Sequence, residues 1–351
     1  EEVLTALRFV MAREPNHPGA NHFYIHAVEA GPSPEWGLPS ADRLLRFAPA
    51  AGHLVHMPAH IYMRVGRYED AVTANELAAK ADEAYLRRAR AEGFYPGVYY
   101  PHNLHFLWYA LLMEGRSKDA LKAARKASDY ALDNVCGTSK ALEAPRLRHL
   151  PWITAARFGH WDEILGIPRP PATNDFLVDR AFWHFSRGLA LAAKGDVTAA
   201  QAESAALSQL THSEEARKLD VPQFPASGVL NVADLWLSGR VAAAQGNYGR
   251  AIAQLQEAVK AEQALPYMEP TFWPIPIRPT LGAVLLAAGQ PAEAEKVFRA
   301  DLAQFPRNGW SLFGLAESLR RQNRADLAAH VDRQFAKAWK RADVPLNLAW
   351  Y

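Results

Sequence analysis

Apolar residues recur at three- and four-residue steps along most of the chain, and the runs break at a glycine followed five residues later by a small residue. The pattern occurs at Gly66/Ala71, Gly115/Ala120, Gly195/Ala200, Gly246/Ala251 and Gly289/Ala294, with a weaker copy at Gly159/Ile164. Each break is flanked on both sides by helical periodicity, so the repeating element is helix, tight turn, helix. Seven residues before the turn a small residue, Ala59, Gly188, Gly239 or Gly282, lets the two helices approach, and Pro306 closes a unit. Trp108 and Trp152 stand in that slot in the third and fourth units and argue for wider helix separation there.

The strings GRYEDAV (66–72), GNYGRAI (246–252) and GQPAEAE (289–295) resemble the tetratricopeptide repeat, a two-helix unit of about 34 residues. The expected fold is all-α, a tetratricopeptide-like solenoid forming a right-handed superhelix of about eight units. Glycine-to-glycine intervals of 36 to 51 residues make several units lengthened or irregular. Residues 1–14 read as the second helix of a truncated repeat, 15–211 as histidine-rich units carrying the site, 212–227 as a linker, and 228–351 as more regular units. The stretch 265–280 carries Pro266, Pro270, Pro274, Pro276 and Pro279, too many for a helix; it reads as a long connector or as a lid over the groove.

Histidine supplies the candidate chemistry. Counted back thirteen, ten and six residues from Gly66, the positions are His53, His56 and His60; from Gly115 they are His102, His105 and Tyr109. From Gly159 they are Arg146, His149 and Ile153, and from Pro32 they are Gly19, His22 and His26. Eight of these twelve slots hold histidine, where 13 histidines in 351 residues would place about half of one by chance. Steps of three and four keep each trio on one helical face, which in a tetratricopeptide unit lines the concave surface.

His22/His26 and His56/His60 have the i, i+4 spacing by which two imidazoles on one helix grip a metal ion, and His102/His105 has the i, i+3 variant. Pairs on neighbouring helices about 8–10 Å apart can converge on one ion or on two adjacent ions. His53 and His149 are further candidate ligands. Imidazole suits zinc, copper, iron and nickel, whereas calcium and magnesium want carboxylates; copper or zinc is the expected metal, and a metal-dependent oxidation or hydrolysis the expected chemistry if the chain is an enzyme. Glu29, three residues after His26, is the candidate general base or a further ligand. Arg64 and Tyr109 are candidate substrate-binding residues. The alternative is a metal-free scaffold that binds a peptide or protein partner, or a small molecule, in the same groove. His17 reads as a helix-start residue, and His160, His184, His212 and His330 as satisfied core residues.

Charge and composition remove other classes. Lys and Arg total 39 against 37 Asp and Glu, so net charge gives no reason to expect nucleic acid. No apolar run reaches the roughly 20 residues that cross a bilayer. One cysteine, Cys136, excludes an intrachain disulfide and a thiolate-rich metal site. No phosphate-binding glycine loop and no GxSxG elbow occurs, so neither a nucleotide nor an organic cofactor is expected. The segments HPGANHFYIHAVE (17–29), AGHLVHMPAHIYMRVGRYEDA (51–71) and HNLHFL (102–107) resemble those of a group of large bacterial tetratricopeptide-repeat proteins. That resemblance implies a longer N-terminus and a periplasmic or secreted location, and it carries no reaction.

Overall fold

A computed structural model of the chain describes residues 1–91, 93–133, 147–173, 176–222 and 224–350. Cys136 and the Arg146 slot lie outside them. Every regular element among the described residues is helical, apart from an isolated antiparallel bridge between Val221 and Phe224. Two compact units result: Glu1–Ala144 with Gln304–Pro306, and Pro145–Ala303 with Arg307–Tyr351.

In the first unit, α1 (Glu2–Arg13) precedes α2 (Pro18–Glu29), which pairs with α3 (Leu38–Phe47). The first helix of the next pair is split into α4 (Gly52–His56) and α5 (Pro58–Arg64) and packs on α6 (Tyr68–Ala89). A π-helical turn, Tyr95–Tyr99, then leads into α7 (Tyr100–Met113), the partner of α8 (Ser117–Asp133). The second unit contains the pairs α9 (Leu150–Arg157)/α10 (Trp161–Leu165), α11 (Leu177–Ala193)/α12 (Val197–Thr211) and, after the short α13 (Glu214–Lys218), α14 (Ala226–Ala244)/α15 (Tyr248–Ala264). It closes with α16 (Arg278–Ala287)/α17 (Pro291–Gln304) and α18 (Gly309–Arg321)/α19 (Ala325–Ala338). Among the described residues these make eight helix pairs.

All six turn glycines read from the sequence have φ between 71° and 84°, a region closed to most L-residues, so the turn itself selects glycine. The eighth pair turns at Asn323, with φ 59°, where asparagine replaces glycine. Pro58 splits the second pair's leading helix, yet Met57 keeps helical angles (φ −49°, ψ −38°), so the break is a kink and the face continues from His56 to His60.

Two sequence-defined connectors are folded parts of the second unit. Residues 212–227 include α13, whose N-cap Ser213 accepts from the Ala216 amide, and bury Ala216 and Phe224. The proline-rich stretch before α16 buries Phe272, Trp273, Ile275 and Ile277. Trp273 lies 5.6 Å from the rings of Phe185 and Trp236 and 6.1 Å from Phe182. These contacts anchor 265–280 on α11 and α14 of the second unit.

Two carboxyl groups of the second unit, Glu262 and Asp301, are shifted toward their neutral forms. Burial, helped by Asp301's charge, raises the pKa of the half-buried Glu262 to about 8; burial raises Asp301 to about 6 against hydrogen bonds from Ser311 and Asn308. A carboxyl group with a raised folded-state pKa stabilises fully below its unfolded value, and that contribution disappears as pH rises through the folded value. Glu262→Gln is therefore expected to raise thermal stability at pH 9 by about 1–3 kcal/mol while leaving it nearly unchanged at pH 4. Parallel melting curves of the two proteins at both pH values check this; equal gains at both would rule out the titration.

Candidate metal centre

The leading helices of the three pairs in the first unit bring six histidines together. Gly52 makes this possible: a Cβ there would lie 1.8 Å from Asp82 Oδ1, so only glycine lets α4 close on α6. Asp82 is itself fixed by Tyr95 and Asn103, whose hydroxyl and amide donate to its two oxygens at 2.7 and 2.6 Å. These bonds tie α4, α6, the π turn and α7 into one frame beside the histidines.

Three groups of donor atoms, each within 4.8 Å of one another, occur in that frame: His22/His26/His53, His56/His60/His102 and His26/Glu29/His60. The first is the outer set, with His22 and His53 half-buried and His26 exposed; in the second, inner set His56 and His60 are buried. His22 Nε2 and His53 Nε2 lie 3.3 Å apart. Two nitrogens bound tetrahedrally at about 2.0–2.1 Å stand about 3.3 Å apart, so this separation suits a shared ion. His56 Nε2 and His60 Nε2 are 2.9 Å apart, the spacing of a hydrogen bond or of two ligands at about a right angle.

The remaining ring nitrogens are turned toward acceptors. Glu29 Oε1 faces His26 Nδ1 at 2.9 Å, and Glu29 Oε2 faces His60 Nδ1 at 2.5 Å. Asn75 Oδ1 lies 2.7 Å from His56 Nδ1, while its amide donates to the Ala71 carbonyl at 2.7 Å, which fixes the side chain's orientation. With Nδ1–H donated to Glu29 and Asn75, His26 and His56 keep the Nε2 lone pair for the centre.

Electrostatics point the same way. Burial, then the neighbouring His26 and His60, lower His22 to about 4; burial, then His22, lower His53 to about 4. Burial, with His60 and His102 beside it, places His56 well below the ordinary imidazole value despite the bond to Asn75. These rings are neutral near pH 7 and their lone pairs are available. Burial opposes ionisation of Glu29, but hydrogen bonds from His26 and His60 and their charges outweigh it and bring its pKa to about 2. A carboxylate held there accepts protons poorly at neutral pH, which suits orientation better than base catalysis.

Other sequence candidates are not members of the three donor groups. His105 is buried on α7 with its ring against Trp108 at 5.5 Å, outside the three donor groups. His149 belongs to the second unit, where it stacks on Phe182 at 3.7 Å. Tyr109 is buried and packs against Trp108. Arg64 donates to the Gly31 carbonyl at 3.3 Å, just past the end of α2. His17 caps α2 by accepting from the Ala20 amide. His184 is buried with Glu203; His160, His212 and His330 are not buried, a correction to their reading as core residues. They have polar partners within reach: Glu163, Asp234 and Gln334. The ring of the π-turn Tyr99 lies 4.5 Å from His53, and Asn75 is a residue that sequence reasoning did not single out.

No protein family and no curated protein matches the chain. Among solved structures, the assembly chaperone of RpL4 (Acl4, residues 1–338) aligns over 94% of this chain and 98% of its own at 14% identity and a TM-score of 0.29. Yeast Tom70 aligns over 95% and 88% at 11% identity and a TM-score of 0.29. No described helix is long and apolar enough to cross a membrane.

Proposed function

We propose that this helical-repeat protein is metal-dependent and that its first unit holds two transition-metal ions, zinc or copper, between the leading helices of three successive pairs. The observation that carries the reading is the convergence of His22, His26, His53, His56, His60 and His102 in two triads, linked by a third group, His26/Glu29/His60, that shares one histidine with each. An all-imidazole set with one carboxylate suits borderline and softer divalent ions. A bound zinc would supply a Lewis acid and an activated water, and copper would supply redox chemistry.

The chain's own groups have distinct tasks in this reading. The imidazoles of the two triads would hold the ions, and three nitrogens each would leave room for a further ligand. Glu29 joins the sets through His26 and His60, and Asn75 orients His56 alone. The buried inner set fills first and exchanges slowly; the partly exposed outer set fills second.

Elemental analysis of protein purified without a histidine tag is expected to show about two equivalents of zinc or copper. Chelation is expected to lower the melting temperature, because ligands converging from three helices couple metal binding to folding. Metal-free protein whose stability ignores chelators would leave the scaffold with a peptide partner as the surviving reading.

Asn75→Leu is expected to weaken the tighter site about 10–100-fold, as loss of an orienting partner does. Asn75→Asp, which still accepts from His56 Nδ1–H, should retain most of the affinity. Competition titration against a chromophoric chelator measures both, and equal loss in the two variants would point to packing.

A further inference from the structure

The outer set lies in the middle of an unbroken row of rings. Phe23 stacks nearly parallel on His22 (centroids 5.0 Å, 16°), His22 meets His53 at 5.0 Å, His53 meets Tyr99 at 4.5 Å, and Tyr99 meets Phe94 at 5.6 Å. The two terminal rings are among the most exposed large apolar side chains in the unit: Phe23 is 58% and Phe94 64% exposed. Tyr99 sits on a π-helical turn, a rare geometry that is frequent at functional sites. The inner set is differently placed, since His56 and His60 are buried and the Phe106 ring lies 4.6 Å from each. A ligand arriving from solvent therefore meets the outer set first, beside flat apolar surfaces.

We propose that the outer triad binds a planar aromatic ligand carrying an anionic oxygen, the oxygen taking the open position on the outer ion and the ring lying along the row between Phe23 and Phe94. This rests on the metal reading above and adds the ligand class. Offset and edge-on ring contacts reward planarity and the quadrupole of an aromatic ring, which a saturated ring of similar size lacks. The oxygen anchors the molecule and the ring row selects it, as expected of a site with few polar groups and aromatic walls.

The experiment uses zinc-loaded full-length chain, a redox-silent form, titrated calorimetrically with benzoate, cyclohexanecarboxylate and acetate. These probes share a carboxylate and differ in the group behind it. Benzoate is expected to bind about three- to tenfold more tightly than cyclohexanecarboxylate, and acetate most weakly. The double variant Phe23→Ala/Phe94→Ala should lose threefold or more of the benzoate affinity while zinc stoichiometry and acetate affinity stay unchanged. Both positions are exposed, so the variant folds. Two bound zinc ions with equal affinity for benzoate and cyclohexanecarboxylate, or no response to the double substitution, would overturn the aromatic assignment alone. Absence of zinc uptake would overturn it together with the metal reading.

Discussion

Simultaneous His56→Ala and His60→Ala substitution is expected to reduce metal content from about two equivalents to one at most, with the tighter-binding ion lost. The inner set would keep only His102, and one imidazole on a half-buried helix face cannot hold a divalent ion against water. The loss also propagates outward: Glu29 loses the His60 contact at 2.5 Å and orients His26 alone, so the remaining site weakens. The matching pair His22→Ala and His53→Ala should remove only the second, weaker equivalent, because His56, His60, Glu29 and Asn75 are untouched. Stoichiometry is read by elemental analysis, and helical content by far-ultraviolet circular dichroism shows that each variant folds. Deleting two buried imidazoles beside Phe106 also leaves a cavity, so His102→Ala serves as a milder inner-set variant. Undiminished metal in both inner-set variants would show that these imidazoles are a packed polar network and not ligands.

The scaffold was legible because turn geometry and helix contact act locally. A residue at φ near 75° must be glycine or nearly so, and a glycine every 36 to 51 residues with helical periodicity between leaves one architecture open. Asn323 escaped the same search because it adopts that φ without being glycine. The histidine register named all six members of the two histidine groups, and also residues that stand outside them. Three residues turn a helix by about 300°, so His105 lies about 60° around α7 from His102 and enters the core beside Trp108. The same counting selected Tyr109 and His149, the one buried on α7 and the other in a different compact unit. Asn75 stands on the second helix of its pair, 19 residues from His56, where no periodicity links them. A hint did exist: asparagine is a poor interior helix residue, and one that is fully buried must satisfy its amide somewhere.

Phe298→Ala is expected to destabilise the second unit by about 3–5 kcal/mol, the range for removing a large ring from a closed core. Phe298 is fully buried on α17, and its ring fills a notch cut by two glycines. A Cβ at Gly282 of α16 would lie 2.4 Å from Phe298 Cζ, and one at Gly314 of α18 would lie 2.2 Å from it. One aromatic ring thus bridges two successive pairs, and the small-residue slot seen at Gly282 in the sequence is half of a site whose other half, Gly314, belongs to the next pair. Gly314→Ala in the native background is expected to be destabilising by about 1–3 kcal/mol through overpacking. In a Phe298→Leu background the added methyl fills space the ring has vacated, and its cost should shrink or vanish. Chemical denaturation of the two single variants and the double variant gives the coupling directly, and residues in contact are expected to depart from additivity by about 0.5–3 kcal/mol. Strict additivity would mean that the ring and Gly314 do not share the notch, and that the two pairs are joined by other contacts.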